Sequence, residues 1–344
     1  MGFPPILKKG SQGMIMLITG ATGAVGPRVV QAFHGAGYRV RTFTIHEPGA
    51  EMFPKDVQVF VGNIMDQKAI RSAMKGIDIV VHLAALLHDT YPSSTLRDRN
   101  ELINVGGTAR VVEESLQAGV KRVVFSSTIA IYGPTDDGQV LTEDSPPRPD
   151  TFYAQTKLAA EGIVLNAKRR DGQPLGMVLR LGAVYGSRVK GNYWRLLQSL
   201  ARGRFIPIGD GLNRRTLIYD RDVARAFVLA AEHPTAAGRI YNVSDGQFHT
   251  LNEIIATICE ALGRPPPRIS LPVGPARLAA GILEDFARLV GYRSPVGRAT
   301  VDKVTEDIAV SGQLIQAQLG FVPKFDLAVG WRETIQEMRQ RGEL

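Results

Sequence analysis

Short apolar runs alternate with longer stretches of helical period through the first two-thirds of the chain. Residues 14–19 (MIMLIT) form an apolar run of buried-strand type, and a helical pattern follows at Val29, Val30 and Phe33. Further strand-type runs lie at 39–44, 57–61, 78–85 and 123–128, with helical stretches over 100–118 and 152–169. Strands that alternate with helices in this way predict an α/β fold: a doubly wound parallel sheet with helices on both faces. The chain is expected to cross back to the sheet near 240–243. The dinucleotide-type domain is then residues 14–183 and 216–244, and a smaller lobe comprises 184–215 and 245–344. Residues 1–13, with two prolines and two lysines, read as a disordered leader.

The junction between the first strand and its helix carries chemistry. Gly20-Ala-Thr-Gly23-Ala-Val-Gly26 places glycines where a tight turn and a close backbone approach are required, and a pyrophosphate would rest on the helix N-terminus. The G-x-x-G-x-x-G spacing is that of the short-chain dehydrogenase/reductases within the wider Rossmann group. Candidate cofactor contacts in this loop are Gly20, Thr22, Gly23, Ala24, Val25 and Gly26. Further along, Asn63 and Ile64 lie where the adenine belongs, and Leu83, Ala84, Ala85 and Ser126 lie toward the carboxyl ends of the fourth and fifth strands. The second strand offers Thr44-Ile-His46 and then Glu47 where an acidic residue would favour NAD and a basic one NADP. Neither rule is met, so these residues leave both NAD and NADP open. His82 is expected to be a structural or cofactor-wall residue, and Asn104 to bridge backbone or water near the site.

Tyr153-Ala-Gln-Thr-Lys157 sets a phenol and an ammonium one turn apart on a helix face. A cation beside Tyr favours the phenolate, and a phenol with a lowered pKa can accept and return a hydroxyl proton. Three hydroxyls end the fifth strand (Ser126, Ser127, Thr128), at the sheet edge where α/β proteins bind ligands. Thr128, Tyr153 and Lys157 thus form the candidate catalytic constellation, with Tyr153 and Lys157 also on the cofactor.

Composition narrows the class. A single cysteine, Cys259, excludes an internal disulfide and suits a reducing, cytoplasmic setting, and the six histidines show no metal-ligand spacing, so no metal is expected. The net charge of +8 is uneven: between Arg188 and Arg225, nine Lys/Arg face only Asp210, Asp220 and Asp222. That balance suits a doubly charged anion. No nucleic-acid motif accompanies it, and none of the aromatic interleaving that stacks bases, so no nucleic acid is expected as partner.

Taken in order, TGATGAVG, HLAA, FSSTIAIYG, YAQTK and LRLGAVYG resemble the extended short-chain dehydrogenase/reductases, the NAD-dependent epimerase/dehydratase family, over residues 14 to about 335. The resemblance implies Thr128 as the catalytic Ser/Thr, Tyr153 as the base and Lys157 as its partner. Arg188-Val-Lys-Gly-Asn192 and Asn213-Arg-Arg215 are similar to the segments of UDP-hexose 4-epimerases and 4-keto-sugar reductases. By that likeness Asn192 and Arg215 hold a nucleotide sugar, a UDP-sugar, with Arg215 on the diphosphate and Thr128 against the hexose. Two positions depart from the pattern: Ala183 stands for the usual Asn, and Asn63 for the usual Asp.

The implied activity is 4-epimerisation of a UDP-hexose through a 4-keto sugar. The alternatives are a 4-keto-sugar reductase, a hydroxysteroid- or dihydroflavonol-type dehydrogenase, and a non-catalytic dinucleotide sensor. The family's four-helix seam implies a homodimer through 100–118 and 152–169. Residues 270–293 read as a Pro-bounded amphipathic helix with Leu278, Ile282, Phe286, Leu289 and Val290 on one side. It is expected to cap the smaller lobe; the alternative is a membrane-surface face for a lipid-linked sugar, against which Glu284 and Asp285 count.

Overall fold

A computed structural model describes residues 13–86, 94–135, 138–290, 292, 294 and 297–344. The leader at 1–12 lies outside the described residues. Eleven strands are present: β1 (Ile15–Thr19), β2 (Arg39–Thr44), β3 (Gln58–Val61), β4 (Ile79–His82), β5 (Arg122–Thr128), β6 (Gly176–Leu181), β7 (Ala183–Tyr185), β8 (Arg214–Arg215), β9 (Leu217–Tyr219), β10 (Ile240–Val243) and β11 (His249–Thr250). The α-helices are α1 (Gly26–Gly35), α2 (Gln67–Met74), α3 (Ser94–Glu101), α4 (Gly107–Gln117), α5 (Phe152–Asn166), α6 (Asn192–Ala201), α7 (Asp220–Glu232), α8 (Leu251–Leu262), α9 (Val273–Leu289), α10 (Arg298–Thr305), α11 (Gln313–Leu319) and α12 (Leu327–Gln340). Among the described residues, no helix is long and apolar enough to cross a membrane.

Seven strands form one parallel sheet in the order β10-β6-β5-β4-β1-β2-β3. The order reverses between β1 and β4, the switch point at which such sheets bind ligands. Successive side chains of β1 serve opposite layers, as strand geometry requires. Met16 and Ile18 join the core beneath α1 and α7, and Leu17 joins the core beneath α2, α4 and α5. The doubly wound sheet is therefore the fold expected from the alternation of runs.

Two boundaries differ from the sequence reading. The fourth strand stops at His82, so Leu83, Ala84 and Ala85 are loop. The stretch 100–118 is not one α-helix: a five-residue π-helical segment, Leu102–Gly106, separates α3 from α4. Such segments mark places where a helix is bent to aim a side chain, and Asn104 sits in the middle of this one.

Beyond β6 the chain builds a second core. Tyr185 stacks on Trp331 with ring centroids 4.6 Å apart, among Leu197, Tyr219, Ile254 and Ile258. The interdomain line is not clean, because Ile315, Leu319 and Phe321 from α11 and its exit pack into the core beside β10 rather than into the second one. Arg28 on α1 ties the two together, bonding Glu337 on α12 at 2.5 Å and Asp220 at 3.3 Å.

Candidate active site

The glycine loop is held by contacts that leave no room for side chains. Gly20 has φ +69°, and a Cβ there would stand 2.6 Å from the Ala84 nitrogen; a Cβ on Gly26 would stand 2.2 Å from the Ala21 carbonyl oxygen. The first glycine thus lets the β1 and β4 exits touch, and the third lets α1 start against the loop. The loop folds on itself through Gly23 N–H to Gly20 O (2.9 Å) and Gly26 N–H to Gly23 O (3.3 Å). The N–H groups of Thr22, Ala24 and Val25 have no acceptor among the described residues. Three free donors ahead of a helix dipole suit a pyrophosphate.

Thr44 is buried at the carboxyl end of β2, and its Oγ1 has no hydrogen-bond partner among the described residues. Ile45, His46 and Glu47 beside it are exposed. Asn63 is also exposed, with its Oδ1 taken by the Met65 N–H at 2.9 Å, while Ile64 is buried under Gly107. Leu83, Ala84, Ala85 and Ser126 are all half-buried along the crevice.

Thr151 caps α5, its hydroxyl accepting from the Ala154 N–H. The helix then carries Tyr153, Lys157 and Glu161 at intervals of four, all on one face. It packs against β5, β6 and the 3-10 turn Ile129–Tyr132 that follows Thr128. Thr128 Oγ1 accepts from the Ala130 N–H at 3.1 Å, which leaves its proton for a substrate oxygen.

Electrostatics depart from the sequence reading. The Tyr153 phenol is pushed up to about 12 by burial, not down. Lys157 is 3% exposed, its Nζ lies 4.1 Å from the centroid of the Phe125 ring, and it is lowered to about 7, burial outweighing the opposing pull of Glu161. Desolvation therefore dominates both groups in the ligand-free protein, and the expected lowering of the phenol is absent.

Residues that pattern reading passed over complete the site. Glu161 and Arg180 form a buried ion pair at 2.7 Å, with Arg180 Nε donating as well to both carboxylate oxygens. Ser127 donates a short hydrogen bond to the same carboxylate. Arg180 also donates to Tyr132 Oη at 2.7 Å, and Tyr132 donates to Asn242 Oδ1 at 2.9 Å. The signal available in the sequence was an arginine inside the apolar strand MVLRL, since a buried charge requires a partner.

His82 is fully buried between Thr19 Oγ1, 2.7 Å from Nδ1, and Thr108 Oγ1, 3.0 Å from Nε2. Thr108 gives its proton to the Asn104 carbonyl at 2.6 Å, so it accepts from Nε2–H, and Nδ1 accepts from Thr19. Burial and then Lys157 lower the imidazole to about 3, so it is neutral and structural, as expected from sequence. Asn104 bridges backbone: its Oδ1 accepts from Leu86 N–H at 2.7 Å, and its Nδ2 donates to Leu86 O and to Thr156 Oγ1. It links the β4 exit to the helix that carries Tyr153.

The substrate-side residues are dispersed. Asn192 opens α6 and is exposed. Arg215 lies on β8 opposite His249, with its guanidinium on Glu306 Oε1 at 3.2 Å and on the carbonyls of Lys303 and Val304 at 2.9 and 2.7 Å. The two-residue arginine pair is thus fastened to the end of α10 and the two residues after it, Arg214 pairing with Asp307 at 2.5 Å.

The sequence model of the NAD dependent epimerase/dehydratase family matches residues 16–244. The chain belongs to this family. It is an enzyme, and its cofactor is NAD. It is similar to the UDP-glucose 4-epimerase of Vibrio cholerae, 27% identical over 338 residues covering 94% of this chain and 95% of that protein. It is equally similar to a 3 beta-hydroxysteroid dehydrogenase/Delta 5-->4-isomerase of Mycobacterium tuberculosis, 27% identical over 324 residues covering 90% and 86%. The solved structure of MoeE5 in complex with UDP-glucose and NAD superposes with a TM-score of 0.75, at 27% identity, over 96% of this chain and 99% of that one.

Proposed function

We propose that the protein interconverts the C4 epimers of a UDP-hexose. The reading is carried by Arg215, a fork of donors on β8 that is held by Glu306 Oε1 at 3.2 Å. A guanidinium matches paired phosphate oxygens better than an ammonium does. The likeness to the UDP-glucose 4-epimerase and to the UDP-glucose-bound MoeE5 structure supports it. The nucleotide sugar would lie between residues 14–183 and 216–244 on one side and 184–215 and 245–344 on the other. Its diphosphate would rest on Arg215, its nucleoside near Asn192.

In this reading the Tyr153 phenolate takes the C4 hydroxyl proton while Thr128 donates a hydrogen bond that orients the sugar. NAD held at the glycine loop would supply the hydride-transfer chemistry at C4. Lys157 holds the nicotinamide ribose. Ala84 and Ala85 are small enough to let the cofactor approach, with Leu83, Ser126 and Asn63 along its length.

A dehydrogenase reading of the steroid type is favoured by Ala183, which removes one sugar-nucleotide hydrogen bond, and by the steroid-dehydrogenase likeness. One assay separates the two. Purified protein is denatured, the released small molecules are identified by mass spectrometry, and the native protein is supplied with UDP-glucose. Retained NAD and formation of UDP-galactose without added cofactor are expected. No conversion of any UDP-hexose, with a sterol oxidised instead, would overturn the sugar reading.

The enzyme is also proposed to be cytoplasmic and a homodimer through α4 and α5. Leu116, Leu158, Ile163 and Leu165 on these helices are half-buried, and Leu102, in the π-helical segment ahead of α4, is 53% exposed. Light scattering at micromolar concentration tests it, a monomer alone ruling it out.

A further inference from the structure

The helix α9 is built inside out. Its small residues turn inward: Ala280 and Gly281 are buried, and Ala276 and Ala287 are half-buried. Its bulky ones turn outward: Leu278, Ile282, Phe286 and Leu289, spaced i, i+4, i+8 and i+11, are 67, 61, 63 and 84% exposed. Leu283 and Val290 flank them, also at least half exposed. The cap over the smaller lobe expected from the sequence is therefore not what these side chains form. Single exposed apolar residues are ordinary, but a continuous stripe of this size marks a docking surface.

The acidic residues that count against a lipid surface are turned away from the stripe and neutralised. Glu284 accepts from the Arg298 N–H at 3.1 Å, and Asp285 pairs with the Arg298 guanidinium at 2.7 Å, both on α10. The charge left around the stripe is positive. Gly209 N–H bonds Leu271 O, and Leu271 N–H bonds Pro207 O, which seats the start of α9 beside exposed Ile206. Just ahead of Ile206 are Arg202 and Arg204, and an added Cβ on the intervening Gly203 would stand 3.6 Å from Arg264 Nη1. Arg202, Arg204, Arg264 and Arg268 are exposed, and none forms an ion pair among the described residues.

We propose that α9 and this arginine ridge dock the enzyme on an anionic lipid surface. The apolar stripe enters the boundary between headgroups and acyl chains, and the four arginines meet lipid phosphates. A second copy fits the face less well, because a symmetric contact would bring two unneutralised arginine ridges together. The inference goes beyond the proposed reaction and does not depend on it.

Co-sedimentation of the full chain with vesicles tests the proposal. Phosphatidylcholine vesicles containing roughly a third phosphatidylglycerol should carry the protein down, and vesicles of phosphatidylcholine alone should do so much less. Two double variants, Ile282→Asp with Phe286→Asp and Arg202→Glu with Arg204→Glu, should each weaken partitioning by about tenfold or more. Both pairs are exposed, so circular dichroism should be unchanged. A Leu278→Trp variant, measured separately, should show a blue-shifted emission on the anionic vesicles. Failure of the wild type to bind anionic vesicles at low salt would overturn the proposal. So would binding that is indifferent to Ile282→Asp with Phe286→Asp, which would be charge attraction alone. Self-association without lipid that this variant abolishes would assign the face to a second copy instead.

Discussion

Glu161 and Arg180 meet fork to fork at 2.7 Å beneath the active-site lysine, one turn of α5 beyond Lys157. Both are nearly inaccessible to solvent, and Ser127, Tyr132 and Asn242 satisfy what the pair leaves over. Removing one partner strands the other charge. Glu161→Gln should therefore destabilise the fold by about 3–5 kcal/mol, read from denaturant midpoints. It should also lower the Lys157 pKa further, because Glu161 is what opposes burial there. The alkaline limb of the activity profile should move to lower pH. Adding Arg180→Met should recover part of the stability and none of the profile, whereas a merely structural role would restore both.

Tyr153→Phe removes one hydroxyl and keeps the ring on a helix that is capped by Thr151. Fold and NAD affinity should be kept, and turnover should fall by about two to four orders of magnitude, the range of a lost general acid–base. Near-wild-type turnover on the protein's own substrate would remove Tyr153 from the chemistry.

Lys157 makes stability depend on pH with a definite sign. Its folded pKa, about 7, is below the ordinary 10.5, so between these values the unfolded chain binds the extra proton. Stability contributed by the neutral amine is present above that window and is lost as pH falls through it, at up to about 1.4 kcal/mol per pH unit. Urea midpoints of the wild type should rise between pH 7 and 10, and those of Lys157→Met should stay flatter. The window stops there because Tyr153, raised to about 12, favours the folded state less as the unfolded phenol ionises above 10. Parallel slopes for the two proteins would show that Lys157 is charged in the folded state throughout.

Local pattern was enough for the sheet, the glycine loop and the Tyr–Lys helix, because each is written in consecutive residues. Strand period, glycine spacing and the i, i+4 rule all act within one element. What was not legible depends on residues far apart in the chain. Glu161 finds Arg180 only when α5 lies on β6, and the sign of the Tyr153 shift is set by how deeply that packing buries it. Likewise Arg215 looked like a free anion clamp, since nothing adjacent to it announces Glu306, 91 residues away. For α9 the period was read correctly, but its orientation depends on α10, whose Arg298 leaves no room for a Cβ at Gly281.

Arg215 separates the nucleotide-sugar reading from its rivals, and Glu306 decides how strongly. A hydrogen bond to a charged group contributes about 1.5–3 kcal/mol, so Arg215→Ala should weaken UDP binding by about tenfold to a hundredfold. The guanidinium is already held by Glu306 and two carbonyls, each side chain about one-tenth exposed. A diphosphate must therefore compete with a carboxylate that is in place, which puts the loss toward the lower end. The same competition makes a second variant informative. Glu306→Gln keeps the shape and removes the competing charge, so it should tighten UDP binding while Arg215→Ala weakens it. In the double variant the gain from Glu306→Gln should vanish, because its effect passes through Arg215. NAD affinity should be nearly unchanged in all three. Isothermal titration of UDP at fixed ionic strength reads each value. If the wild type binds no nucleoside diphosphate, the sugar-nucleotide substrate is wrong although the family stands. If it binds UDP and Glu306→Gln weakens that binding, Arg215 is a strut for α10, and the diphosphate is held elsewhere on the basic stretch.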